Sequence, residues 1–117
     1  MKILMILNDP PYGTERVYNG LRLAINLQKK HEDVELSVFL LGDSASAAKS
    51  GQQTPNGYYN VERMLASVAR KGADVLVCGT CMDARGLTDP ELVVGATRST
   101  MDELTQATVD ADKVLVF

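Results

Sequence analysis

The sequence predicts an α/β fold: a three-layer α/β/α sandwich around a mainly parallel sheet of four to five strands. Three observations predict it. Short apolar runs of strand length alternate with segments whose apolar residues recur at helical spacing. Strands separated by helices pair in parallel through right-handed crossovers, which place helices against the sheet. No internal repeat or linker interrupts the alternation, so residues 1–117 read as one domain. At 117 residues and 45% hydrophobic composition, such a chain can bury a core without a metal or disulfide staple.

Each element has a local cause. Ile3 to Leu7 is a continuous apolar run, the pattern of a strand covered on both faces. It stops at Asn8-Asp9-Pro10-Pro11-Tyr12-Gly13, where two prolines and a glycine exclude regular structure. Thr14 offers a capping hydroxyl, and Val17, Leu21, Ala24 and Ile25 mark one face of a helix running to about Lys30. Val34 to Leu41 reads as the second strand, and Gly42-Asp43-Ser44 as a turn that caps a short helix from Ala45 to Lys49.

Ser50 to Tyr59 is irregular. Asn60 then caps a helix whose apolar face is Val61, Met64, Leu65, Val68 and Ala69, and Gly72 ends it. Val75 to Cys78 is the third strand. Gly79 to Val94 reads as irregular, apart from a helical turn that Pro90 can open. Gly95 to Arg98 is a candidate fifth strand. Thr100 and Glu103 have capping-box spacing for a last helix to about Ala111, and Lys113 to Phe117 closes the sheet. The order of the strands is not readable.

Composition excludes several function classes. Twelve Lys and Arg against fifteen Asp and Glu give a net charge of −3, with no general attraction to nucleic acid or anionic membrane. No apolar run approaches membrane-span length, and the opening apolar run is too short for a signal peptide, so a cytoplasmic protein is expected. His31, the only histidine, lies in a charged run at a helix end, which leaves little material for a catalytic zinc site or a Ser-His-Asp triad, and a zinc on Cys78 and Cys81 needs two further ligands from other subunits. The Asn8–Gly13 loop lacks the glycines of a phosphate cradle. No metal and no cofactor are expected.

In open parallel sheets, function gathers where the carboxyl ends of strands meet their loops. There the chain carries Cys78-Gly79-Thr80-Cys81-Met82-Asp83-Ala84-Arg85-Gly86. Cys78 is a candidate nucleophile at the strand end, with Arg85, Arg98 and nearby amides as sources of positive potential. Its alternative is a buried cysteine that only packs. In that case the protein is a non-enzymatic oligomeric module, with Tyr58, Tyr59 and the Ser50–Asn60 loop as a subunit contact. Cys81 is close enough in sequence to form a dithiol couple with Cys78, giving a thiol/disulfide redox protein. A thioredoxin-like version needs Cys-x-x-Cys to open a helix, which Gly86, Pro90 and the missing apolar period after Cys81 argue against.

Several segments together resemble the DsrE/DsrF-like family. They are Asn8 with Pro11-Tyr12-Gly13-Thr14-Glu15, Leu21-Arg22-Leu23-Ala24, Val38-Phe39-Leu40, Cys78-Gly79-Thr80-Cys81 with Ala84-Arg85-Gly86, and Ala111 to Phe117. They occur in order over essentially the whole chain and are most similar to the YchN-like branch, with the TusD-like sulfur-relay subunits more distant. The resemblance implies an α/β/α fold, a homotrimer or homohexamer, and, from the relay members, a cysteine that carries sulfur as a persulfide. By spacing to Arg85-Gly86 that carrier corresponds to Cys78, with sulfur-donor and sulfur-acceptor proteins as implied partners. Cys81 matches the YchN-like branch but stands where the relay subunit has a small non-thiol residue. Sulfur relay and thiol/disulfide chemistry therefore both stay open, with Cys78, Cys81 and Arg85 as the site residues.

Overall fold

The computed structural model describes residues 1–117. Five strands, β1 (Lys2–Leu7), β2 (Glu35–Leu40), β3 (Asp74–Cys78), β4 (Ala96–Ser99) and β5 (Lys113–Val116), form one all-parallel sheet in the order β4-β3-β2-β1-β5. The chain therefore steps outward from β1 to β4 and then crosses back to place β5 on the other side of β1. Right-handed crossovers in opposite directions put their helices on opposite faces. Helices α1 (Arg16–Lys30) and α2 (Val61–Arg70) pack together on one face. Helix α4 (Met101–Asp110) covers the other, against β1.

The two faces are unequal. Alternate strand residues Met5, Leu7, Val38, Leu40, Val75 and Val77 join Val17, Leu21, Leu65 and Val68 of α1 and α2 in a core of 21 buried residues. The other core holds only four: Leu4, Phe39, Cys78 and Leu104. Interior strand β1 is buried on both faces, as its unbroken apolar run requires. Gly20 lets α1 approach β1, since a Cβ there would sit 3.1 Å from Leu7 and 3.2 Å from Phe117.

Most expected elements form, and four differ. Glu15 rather than Thr14 precedes α1, and the Thr14 hydroxyl only accepts a long 3.5 Å bond from the Arg16 amide. The alanine segment is a 3₁₀ turn, Gly42–Ala48, that begins at its glycine. Thr100 accepts the Glu103 amide as expected, but no reciprocal bond from the Glu103 side chain forms. The fourth difference matters most. The stretch after Cys78 is not irregular: it opens a six-residue helix, α3 (Gly79–Ala84), which turns out at Gly86 with φ +65°. The objection to a helix-opening Cys-x-x-Cys therefore falls. Six residues cannot display a helical period, and only Met82 among the larger apolar side chains of α3 is fully buried.

Candidate functional site

Three loops meet at the carboxyl end of the sheet: the segment after β1, the Gly42–Ala48 turn after β2, and α3 after β3. The Ser44 hydroxyl donates to the Asp9 carbonyl, tying the first to the second. The Gly42 N–H donates to Cys81 Sγ at 3.2 Å, tying the second to the third. Arg85 adds a clamp, donating to the Asp43 carboxylate at 2.6 and 3.1 Å and to the Cys81 carbonyl at 3.0 Å.

Cys78 ends β3 and stands at the cap position of α3. It is 6% exposed and packs with Leu4, Phe39 and Leu104 on the α4 face. Its sulfur lies 3.3 Å from Thr80 Oγ1. Burial pushes the thiol up, but it is outweighed by the neighbouring Cys81 thiol and Thr80 hydroxyl, of which Thr80 stands at hydrogen-bond geometry. The Cys81 and Thr80 amides act in the same direction without reaching cap hydrogen-bond geometry, and the net effect lowers the thiol below its ordinary value. Cys81, half-buried at the third position of α3, moves the other way. Burial and the proton it shares with Cys78 raise it, against smaller lowering by the Gly42 amide and Arg85. The less exposed sulfur is the more acidic one.

The structure thus brings Cys78 and Cys81 together, while Arg85 comes to Cys81 and Asp43. The Arg85 charge acts on the Cys81 thiol and is not among the influences on Cys78. Arg98 is spent on Asp83 at 2.7 Å and Asp89 at 2.9 Å. His31 is exposed at the end of α1, and no three His, Cys, Asp or Glu side chains converge as a metal site would require.

Two features escaped the sequence. The Gly42 amide on Cys81 depends on β2 and β3 being neighbours, for which there is no local signal. All four tyrosines line one cavity of about 460 Å³, where the Tyr12 hydroxyl accepts the Val61 amide at 3.1 Å and the Tyr59 ring stands edge-on to those of Tyr12 and Tyr58. A larger concavity, about 1040 Å³, lies at the amino ends of β1, β2 and β3, where Lys2, Glu35 and Asp74 mark its mouth. Its mixed charges and its position at the wrong end of a parallel sheet make it the weaker candidate.

The model of the DsrE/DsrF-like family matches residues 1–117. The chain belongs to that family. Among DsrE/DsrF-like relatives it is 40% identical to protein YchN of Escherichia coli (strain K12) over 116 residues, covering 99% of this chain and 98% of that one. It is 37% identical to an uncharacterized protein of Methanocaldococcus jannaschii over the full length of both. The crystal structure of the Escherichia coli YchN protein superposes with a TM-score of 0.95 at 39% identity, covering 100% and 99% of the two chains. A protein of unknown function from Methanobacterium thermoautotrophicum, 14% identical with a TM-score of 0.76, shares the fold.

Proposed function

We propose that this DsrE/DsrF-like protein handles sulfur, carrying sulfane sulfur as a persulfide on Cys78 in a cytoplasmic relay or sulfur-metabolism step. The observation that carries the reading is the position of the Cys78 sulfur at the end of β3, 3.3 Å from the Thr80 hydroxyl at the cap position of α3, surroundings that favour its thiolate. The Cys78 thiolate attacks the outer sulfur of a donor persulfide. The donor S–S bond breaks, its thiolate leaves, and a new S–S bond forms on Cys78. An acceptor thiolate then takes the outer sulfur and returns Cys78 to a thiolate. Alternatively, Cys81 attacks the inner sulfur, forming the Cys78–Cys81 disulfide and releasing hydrogen sulfide. In this scheme Arg85 orients Cys81 through its carbonyl.

A second reading, plain dithiol/disulfide exchange, draws support from Cys78 at the cap position of α3 with Cys81 at the third position inside it. Intact-mass measurement separates the readings. Incubation with a persulfide donor is expected to add about 32 Da to the wild type but not to Cys78→Ser. An equal gain in both refutes Cys78 as carrier. A loss of about 2 Da in the wild type together with no gain in Cys81→Ser, where disulfide discharge is blocked, favours dithiol exchange.

Self-association into a homotrimer or homohexamer belongs to the same proposal. Its support is the thinly covered α4 face, where Met101, Val109, Val114 and Val116 are exposed. Light scattering is expected to give a multiple of 12.7 kDa, and a monomer rejects this part.

A further inference from the structure

Ser99 ends β4 and pairs in parallel register with Cys78. Registered neighbours on adjacent parallel strands are about 4.8 Å apart and present side chains to the same face. Here that is the α4 face, because Ala96, paired with Val75, packs into the larger core, and alternation puts Ser99 opposite to it. Ser99 is 3% exposed, and its hydroxyl has no hydrogen-bond partner. Neighbouring hydroxyls are engaged: Thr80 with the Cys78 sulfur, and Thr100 with the Glu103 amide. The other buried atoms without partners, Gln28 Oε1 and Thr54 Oγ1, belong to α1 and to the segment before Pro55, away from any cysteine.

A sealed hydroxyl with nothing to bond carries a desolvation penalty that the empty site does not offset. We propose that Ser99 is a binding residue for cargo on Cys78, donating its hydroxyl hydrogen to the anionic outer sulfur of the persulfide. The inference rests on the persulfide reading and deepens it: the ligand is a terminal, carbon-free sulfur atom bearing negative charge. It follows that Ser99 distinguishes the loaded protein from the empty one. In the empty state the hydroxyl has nothing to hold, so its removal leaves the free thiol unchanged.

The test uses the full chain as wild type, Ser99→Ala and Ser99→Thr, loaded without oxygen with inorganic polysulfide and then freed of excess. Persistence of the added mass on Cys78 is followed with time, and cyanide-released thiocyanate gives a second readout. A separate pH profile of alkylation reports the unloaded thiol. Ser99→Ala is expected to lose its sulfur about tenfold faster than wild type. Ser99→Thr, which keeps the hydroxyl, is expected to stay within about twofold. All three alkylation profiles are expected to coincide, and Ser99→Ala to melt no lower than wild type. Equal persistence in wild type and Ser99→Ala overturns the role of Ser99 while leaving Cys78 as carrier. A displaced alkylation profile or a lower melting point in Ser99→Ala also overturns it, since either assigns the hydroxyl to the empty protein. Failure of both the wild type and Cys81→Ser, in which discharge by disulfide closure is blocked, to gain the mass overturns the persulfide reading itself, and the role of Ser99 with it.

Discussion

Replacing Thr80 by valine removes the hydroxyl 3.3 Å from the Cys78 sulfur while keeping the shape of the side chain. That hydroxyl favours the thiolate, so its loss must raise the Cys78 thiol. Hydrogen bonds to charged groups contribute about 1.5–3 kcal/mol, and water competing at the exposed Thr80 places this one near the lower end. Since one pH unit corresponds to about 1.4 kcal/mol, the midpoint of thiolate formation is expected to move up by about one pH unit. Nucleophilicity works in the opposite direction: a more basic thiolate attacks about threefold faster per unit, at a slope near 0.45.

The two effects predict crossing curves for alkylation of Cys78, read by mass of the labelled peptide across pH. On the acid side of the wild-type midpoint, Thr80→Val has about tenfold less thiolate and reacts about threefold more slowly. Above both midpoints it reacts about threefold faster. Thr80→Ser follows the wild type. Superimposable curves refute the hydroxyl's role in holding the thiolate. If wild type and variant both react only at the rate of global unfolding, Cys78 is a packing residue and the chemistry built on it fails.

The remaining predictions concern the frame around the site. A Cβ at position 79 would lie 2.7 Å from Arg98 Nη1 and 3.2 Å from both Arg98 Cγ and the Ser99 carbonyl. Gly79→Ala is therefore expected to cost about 1–3 kcal/mol in urea unfolding, and visibly less in an Arg98→Ala background; equal costs in both backgrounds contradict the clash. Asn60 caps α2 through the Arg63 amide at 3.0 Å and also donates to the Gln52 carbonyl at 3.1 Å, so Asn60→Ala is expected to lose about 1–2 kcal/mol, with an unchanged melting point counting against the cap. Lys49 first, then the Thr88 amide and hydroxyl, hold the Glu91 carboxyl down at about 2. A depressed carboxyl stabilises the fold above its unfolded value and loses that contribution as pH falls through its folded one. The melting-point gap between wild type and Glu91→Gln should therefore narrow from about pH 5 downward, and a constant gap would contradict the linkage.

How much was legible followed from how local each cause is. The faces of α1 and α2 could be read because Val17, Leu21, Ala24, Val61, Leu65 and Val68, all fully buried, repeat at helical spacing. Cys78 could be placed at a strand end because the apolar run Val75-Leu76-Val77 stops there. β4 was visible only as an option: it is a four-residue edge strand with Thr97 and Arg98 exposed, too short and polar to stand out. The clamps on the cysteines were invisible for a different reason. Gly42 to Cys81 spans 39 residues and Asp43 to Arg85 spans 42, so each exists only once β2 and β3 are neighbours. Arg85 was legible as a cation beside the Cys-x-x-Cys segment, but its choice of Cys81 over Cys78 was not.

That choice gives the site its asymmetry. Cys81 is the more open sulfur and the weaker acid, so of the two sulfurs it is the one that keeps its proton when the pair ionises. Under the persulfide reading, negative charge on loaded Cys78 moves outward to the added sulfur. Discharge through Cys81 then needs that thiol to ionise. The groups that favour its thiolate are already in place, the Gly42 amide from the turn after β2 and the Arg85 charge from the end of α3 itself. Cys78 is thus held by its own helix and strand, and Cys81 partly by the turn after β2. A shift of the Gly42–Ala48 turn away from α3 would raise the Cys81 thiol further and leave the Cys78 sulfur's Thr80 contact untouched, slowing disulfide closure without slowing loading. Asp43→Ala, which releases the turn from the Arg85 clamp without forcing the left-handed Gly42 backbone, is expected to show that split: unchanged uptake of sulfur on Cys78 and slower release of hydrogen sulfide. Equal slowing of both steps would mean that the turn supports the whole site rather than Cys81 alone.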